Sequence, residues 1–238
     1  MESGKLSKRT ITACICIFLL IPVVVYLGVT MFDDRAYYII SLIIAALSMV
    51  PFFLVFEGRK PRSRELVIIA VMIAVTVVGR MAFFMVPQFK PTTAIVIISG
   101  FCLGPETGFI IGSTSAFISN LFFGQGPWTP WQMFTFGLIG FLAGVLHRFN
   151  LLERNRIQLC IFGGLSALLI YGIFLDLASV FMMTSSNVTA DTILATFVSG
   201  FPLNVIHAAA TVIFMFLLGI PMIKKLERIK IKFGLMEM

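Results

Sequence analysis

The sequence has little charge for its length. Of its 238 residues only 12% are Asp, Glu, Lys or Arg, whereas 59% are hydrophobic and the mean hydropathy is +1.02. A soluble domain of this length needs far less apolar side chain to fill its core. The composition therefore excludes an ordinary soluble protein and predicts an integral membrane protein.

Several catalytic motifs are missing. The chain has no GxxxxGK[ST] string to hold nucleotide phosphates and no HExxH zinc motif. Ser113 is predicted near the inner end of its span, and nothing places His207 beside it, so a serine protease site is not favoured. We interpret His207 as a hydrogen-bond partner between helices. We therefore expect no enzyme, metal or cofactor, with an intramembrane enzyme kept as an alternative function.

Cysteine and positive charge are also uninformative about function. The cysteines lie within apolar runs, which predicts neither a disulfide framework nor a zinc site. The formal charge of +7 comes from Lys and Arg in short segments beside apolar runs. That pattern sets membrane topology. We expect no nucleic-acid partner.

Apolar runs of about 20 residues, the length of a membrane-spanning helix, divide the chain. Residues 1–57 are predicted to form two additional transmembrane helices, and 58–65 a basic cytoplasmic loop. Residues 66–224 are predicted to form a six-helix core, and 225–238 a basic cytoplasmic tail. Placing the Lys and Arg clusters on one side gives an all-α protein with eight crossings and both termini cytoplasmic.

Inside the core, one helix is short and glycines recur at helical spacing. Thr92–Leu103 covers only about 18 Å, too short to cross a bilayer unless a partner or the bilayer accommodates it. Pro105 suits the first turn of the next helix, which is predicted to rise from Thr107 to Phe123. Rows of glycine predict helices that pack backbone to backbone, although Pro105 should break the first row. These glycines are Gly100, Gly104, Gly108, Gly112, Gly140 and Gly144.

The segment Gly124–Gln132 contains both tryptophans of the protein, Trp128 and Trp131. Its glycines allow close backbone approach, its prolines fix φ, and tryptophan suits a membrane–water boundary. A stiff aromatic loop at the point where two spans reach the surface favours a binding wall. The alternative is an anchor at the membrane interface.

Hydrophilic side chains within the spans are the second functional signal. An ionisable side chain costs roughly 2.5–3.5 kcal/mol to insert in a span, so each one calls for a partner or a function. Side chains from four spans are predicted to converge at one depth beneath loops that carry Lys90, Gln125 and Trp128. They are Arg80, Asn120, Gln132 and Asp176. Two alternatives to a ligand site remain: Arg80 pairs with Asp176 as a structural bridge, or Arg80 extends to the interface.

From about Arg64 to Lys224 the sequence resembles the substrate-specific S component of energy-coupling factor (ECF) vitamin transporters. The matching features are the six-helix unit, Ala70-x-x-x-Ala74 in its first helix, and the strings PTTAIVIISG and GPETGF. The most specific is GQGPWTPWQMF at Gly124–Phe134. That string is most similar to S components assigned to cobalamin or its precursors.

The resemblance implies a non-catalytic subunit of a bacterial-type cytoplasmic membrane that binds a small-molecule vitamin at its outer face. The loops 87–91, 124–130 and 184–191 would then surround the vitamin. Arg80, Lys90, Asn120, Gln125, Trp128, Trp131, Gln132 and Asp176 are the predicted substrate-binding residues. Folate and pantothenate are alternative ligands, and a membrane scaffold is an alternative function.

The resemblance also implies partners in the membrane. The face of Ala70 and Ala74 would dock on a transmembrane coupling subunit driven by two ATPase subunits. The sequence departs from the family pattern in two respects. It has one AxxxA step, because Leu66 and Val78 occupy the flanking positions, and the two helices of residues 1–57 have no assigned role.

Overall fold

The structure, a computed structural model, describes residues 63–183 and 189–234 together with scattered positions between 11 and 47. The two predicted helices of residues 1–57 therefore lie largely outside the described residues. Within residues 63–183 and 189–234 the chain forms six helices and no strand. They are α1 (Ser63–Ala82), α2 (Thr92–Leu103), α3 (Pro105–Phe123), α4 (Thr129–Arg148), α5 (Arg156–Leu165, the π-helical Ser166–Gly172 and Ile173–Met183) and α6 (Ala190–Phe233).

Local sequence explains where the helices begin and end. Gly104 separates α2 from α3 with a φ of 97°, which favours glycine, and Pro105 occupies the start of α3. The side chain of Asn155 accepts hydrogen bonds from backbone N–H groups in the first turn of α5. Thr189 opens α6 with a capping box, and Gly234 ends it in the left-handed conformation.

The short helix α2 lies at the centre of the bundle. All 12 of its residues are buried, and it contacts each of the other five described helices. The prediction of a short helix at Thr92–Leu103 that depends on partners is confirmed. Protein rather than lipid surrounds it, so its length need not match the bilayer.

Glycine allows α2, α3 and α4 to approach closely. A Cβ atom added at Gly100 or Gly108 would overlap the carbonyl group of Gly140, and one at Gly112 would overlap the carbonyl of Phe136. The predicted backbone packing is confirmed at these positions. A Cβ added at Gly104 would meet nothing within 4 Å, so this glycine is needed for its positive φ at the end of α2, while its backbone packs against Gly144. The first row is thus interrupted next to Pro105, as the sequence predicts.

Four of the described helices are long and apolar enough to cross a membrane: α1, α4, α5 as far as Val180, and α6. α3 was predicted as a crossing but is not among them. Its Glu106, its several Ser and Thr residues and Asn120 reduce its apolar character, and most of these side chains are buried against other helices. Neighbouring helices therefore surround the polar groups of α3 and keep them away from lipid, which offers no hydrogen bonds.

The last helix is longer than predicted. α6 has 44 residues, passes through Pro202 and Pro221, and reaches Phe233, beyond the predicted end at Ile223. Part of the predicted basic tail is therefore helical.

Basic side chains gather at the end of the bundle near Gly104, which we call the basic end. Lys230 donates to the carbonyl of Cys102 at 2.7 Å, and Arg154 forms an ion pair with Glu227 at 2.6 Å. The opposite end, formed by residues 83–91 and 124–128, is called the tryptophan end. This grouping suits the positive-inside prediction, and the orientation itself stays a prediction.

Candidate functional site

A buried guanidinium of α1 at the tryptophan end is held by side chains from two other helices, α3 and α4. Arg80 Nη1 donates to Ser119 Oγ and to Asn120 Oδ1, the latter at 2.9 Å, and Nη2 donates to Gln132 Oε1 at 3.3 Å. Asn120 Nδ2 in turn donates to Gln132 Oε1 and Thr129 Oγ1, each at 3.0 Å. All five side chains are buried. We call them the arginine cluster.

The arginine cluster contains one charge and four neutral partners. Arg80 is only 8% exposed, so it does not extend to the interface. Its hydrogen bonds go to hydroxyl and amide oxygens, and no ion pair joins it to Asp176 in the described part of the chain. Neither structural alternative, a bridge from Arg80 to Asp176 or an Arg80 that extends to the interface, therefore describes the observed contacts. Dipoles of neutral groups offset part of the desolvation cost of the guanidinium without neutralising it.

Asp176 lies in a different set of contacts from Arg80. Asn204 Nδ2 on α6 donates to Asp176 Oδ2 on α5 at 2.7 Å. This pair borders a cavity of about 390 Å³ between α5 and α6. The other lining residues are apolar: Leu168, Leu169, Ile173, Phe197, Val198 and Phe201. Of the four side chains predicted to converge, the structure brings Arg80, Asn120 and Gln132 into contact and gives Asp176 a separate partner.

His207 joins three segments close to the tryptophan end. Its Nδ1 contacts the backbone carbonyl of Gln88 at 3.1 Å, and its Nε2 lies 2.8 Å from Thr93 Oγ1. Because a carbonyl can only accept, Nδ1 donates, and a neutral ring then accepts from Thr93 at Nε2. Tyr171, in the π-helical segment, stacks on the imidazole with ring centroids 4.4 Å apart. The prediction that His207 is an interhelical hydrogen-bond partner is confirmed.

The tryptophan loop is tightly folded on itself. A Cβ at Gly126 would overlap the ring of Trp128, and that ring is 39% exposed. Trp131 is buried in the core instead. Gln125 Nε2 donates to the carbonyl of Phe117 at 3.0 Å, whereas its buried Oε1 has no hydrogen-bond partner in the structure. Trp128 is therefore the tryptophan available to a ligand at this end.

Lys90 completes the tryptophan end. Its ammonium donates to the carbonyl of Val86 at 2.9 Å and lies 5.6 Å from the ring centroid of Phe123. The guanidinium carbon of Arg80 lies 4.7 Å from the same centroid. Partial burial, and next the positive charge of Arg80, lower the pKa of Lys90 below its ordinary value. The charged groups of both cations thus lie within 6 Å of the centroid of one aromatic ring.

Ala70 and Ala74 lie on an exposed face of α1, on the surface of the described helices. Large apolar side chains beside them are exposed as well, among them Val67, Val71 and Val78. The small residues therefore form a shallow strip on an apolar surface, which a second membrane helix could approach closely.

Sequence reasoning missed several members of these contacts. Ser119 and Thr129 were not singled out, although each adjoins a predicted residue in the chain. Tyr171 gave no signal, because an aromatic residue in an apolar span is ordinary. Asn204 is polar within a span, which marks it as needing a partner, but the partner is identified only by the structure.

These features define a polytopic helical membrane protein with a buried cationic cluster beneath an aromatic loop. A family model described as "ECF-type riboflavin transporter, S component" matches residues 60–228. The match includes α1 to α5 and most of α6. The chain belongs to this family.

The curated relatives match a smaller part of the chain than the family model does, and their names state no function. A UPF0397 protein of Vibrio atlanticus is 30% identical over 101 residues, which is 40% of this chain and 53% of the relative. A UPF0397 protein of Aliivibrio fischeri is 29% identical over 101 residues, which is 40% of this chain and 53% of the relative. A UPF0397 protein of Aliivibrio salmonicida is 29% identical over 105 residues, which is 42% of this chain and 55% of the relative. The chain spans about half the length of the curated relatives it matches. No solved structure matches it.

Proposed function

We propose that this protein is the substrate-binding subunit of an ECF-type importer and captures a vitamin at the outer face of the cytoplasmic membrane. The observation that carries the proposal is the family match over residues 60–228, the region that contains the arginine cluster. The protein works without catalysis, and an ATP-driven coupling module supplies the energy for delivery inward.

The proposed vitamin site is at the tryptophan end, facing outward. Three observations support it: the exposed ring of Trp128, the orphan acceptor of Gln125, and the cations Arg80 and Lys90 beside Phe123. Aromatic rings stack on flat ligands, and amides and cations bind polar edges. The third predicted loop, 184–191, lies outside the described residues as far as residue 188.

Cobalamin or a precursor is our first candidate for the vitamin, on the resemblance of the GQGPWTPWQMF string. A ligand rich in amides would suit the side chains of Gln125, Asn120 and Gln132. Riboflavin is the second candidate, because the description of the matching family names it. Folate and pantothenate, which carry carboxylates, are further candidates for the two cations.

The coupling partners are proposed to dock on α1. The exposed strip at Ala70 and Ala74 supports this role, since small residues let a partner helix approach the backbone. A transmembrane coupling subunit would occupy the strip, and two ATPase subunits would drive it.

One experiment tests the proposed function against its alternatives. The full chain is purified in nonionic detergent without partners, and copurifying small molecules are identified by mass spectrometry. We expect a vitamin bound at nanomolar affinity, measured by titration of the emptied protein with cobalamin and riboflavin. Failure to bind cobalamin, riboflavin, folate or pantothenate would contradict the proposal and favour a scaffold. Chemical conversion of a bound compound would favour an enzyme.

A further inference from the structure

The strongest unexplained feature is the pair of cations around Phe123. Arg80 and Lys90 come from α1 and from the loop that follows it, yet both charged groups lie within 6 Å of one ring centroid, at 4.7 and 5.6 Å. Two like charges beside one ring repel each other, and the repulsion grows where water is scarce. Phe123 attracts both cations weakly, and that attraction does not remove the repulsion.

The described residues provide no counter-charge for this pair. The hydrogen-bond acceptors of Arg80 are a hydroxyl and two amides, and the acceptor of Lys90 is the backbone carbonyl of Val86. The carboxylate of Asp176 is hydrogen-bonded to Asn204 instead. A buried charge normally has an ionic partner in a folded protein. The arrangement therefore resembles a binding site without its ligand.

The guanidinium also keeps unused donors. Of its five N–H groups, these hydrogen bonds occupy two on Nη1 and one on Nη2, which leaves one on Nη2 and one on Nε. The neutral partners fix the guanidinium in position, and Lys90 adds an ammonium with two further donors. A rigid guanidinium beside a flexible ammonium suits a tetrahedral phosphate, whose oxygens can bond to both.

We infer that Arg80 and Lys90 form an anion subsite that receives a phosphate group of the transported ligand. The inference rests on the proposed function for the identity of the ligand, but the subsite can be tested separately. Arg80 binds the phosphate from within the bundle, and Lys90 binds it from the covering loop. A ligand without a negative group would leave the two cations facing each other and would bind more weakly.

The main test compares ligands that differ in a phosphate. Affinities of the purified chain are measured for riboflavin and riboflavin 5′-phosphate, and for cobinamide and cobinamide phosphate. In whichever pair binds, we expect the phosphate-bearing member to bind about tenfold tighter or more. Lys90→Gln should remove most of that preference, measured as the ratio of the two affinities within the same variant, whatever its effect on the phosphate-free member. Lys225→Gln, an exposed cation at the basic end, is the matched control and should preserve the preference.

A second measurement uses simple anions. Inorganic pyrophosphate, compared with chloride at equal ionic strength, should raise the thermal stability of the wild-type chain and have less effect on Lys90→Gln. Lys90 is the better position for this test because Arg80→Gln removes a member of the buried cluster and can impair folding. Stabilisation by phosphatidylglycerol in nanodiscs but by no soluble phosphate would assign the subsite to a lipid headgroup and overturn the inference.

The outcomes separate the subsite from the proposed function. If vitamins bind but phosphate gives no preference and Lys90→Gln changes nothing, the subsite is wrong and the transporter assignment stands. If no vitamin binds while pyrophosphate stabilises the protein through Lys90, the anion subsite is supported and the vitamin assignment fails.

Discussion

At the scale of single residues, Arg80 is a costly group to bury in the described bundle. Inserting an arginine in a span costs roughly 2.5–3.5 kcal/mol. Ser119, Asn120 and Gln132 supply its hydrogen bonds, and each would itself be costly in lipid. Because these groups hydrogen-bond to one another, each lowers the free-energy cost of burying the others. Because none of these partners is an anion, the positive charge of Arg80 stays available to an anionic ligand, as the proposed subsite requires.

Trp128 provides a direct test of the tryptophan loop. We expect Trp128→Ala to weaken vitamin binding about tenfold, because an exposed aromatic ring that stacks on a ligand contributes about that much. Titration with cobalamin and with riboflavin measures the effect, and expression should stay normal. Phe122→Ala, which removes another exposed aromatic ring at the end of α3, is the control. Equal affinity of Trp128→Ala and wild type would remove the loop from the site.

The Asp176–Asn204 pair separates a structural role from a ligand contact. Asp176→Ala leaves the amide N–H of Asn204 without its partner, so we expect a lower melting temperature in detergent. Asp176→Asn keeps an acceptor oxygen and should be stable. If Asp176 also contacts the vitamin through its charge, Asp176→Asn would lose affinity while keeping stability. Unchanged stability of Asp176→Ala would show that the pair does not brace α5 against α6.

At the scale of helices, patterns along the sequence predict much of the described fold. Thr92–Leu103 has the predicted bounds, and Gly100, Gly108 and Gly140 pack as their spacing indicates. The partner of Asp176 was not predictable. The π-helical Ser166–Gly172 changes the rotation of α5, so a repeat of 3.6 residues no longer gives the face on which Asp176 lies. A single sequence has no clear signal for such a segment.

The contact among α2, α3 and α4 depends on Gly140. We expect Gly140→Val to lower the melting temperature of the detergent-solubilised protein by about 5 °C or more, because its side chain would overlap the backbone of Gly108. Gly219→Ala in α6 is the matched control, since its added Cβ meets only the flexible side chain of Met215. Equal losses from both substitutions would show that the close approach at Gly140 is not specific.

At the scale of the whole molecule, the two ends of the bundle carry different polar contacts. The tryptophan end holds the loops, the arginine cluster and Lys90, and the basic end holds contacts such as Arg154–Glu227. The central helix α2 connects the two ends and is covered by protein throughout. Under the proposed function, a ligand at the tryptophan end and a coupling subunit on the exposed Ala70 face of α1 would therefore be linked through the packed bundle.

The exposed face of α1 gives a prediction that only the assembled transporter can test. Ala74→Trp adds a large ring to a strip that a partner helix must approach closely, so uptake of labelled cobalamin or riboflavin by cells should fall to background. Affinity of the isolated chain should stay unchanged, because Ala74 lies outside the arginine cluster and the tryptophan loop. Ala195→Trp, at an exposed alanine of α6, adds the same bulk and should leave uptake intact. Loss of affinity together with uptake in Ala74→Trp would mean that the substitution damages the bundle itself, and normal uptake would place the docking face elsewhere.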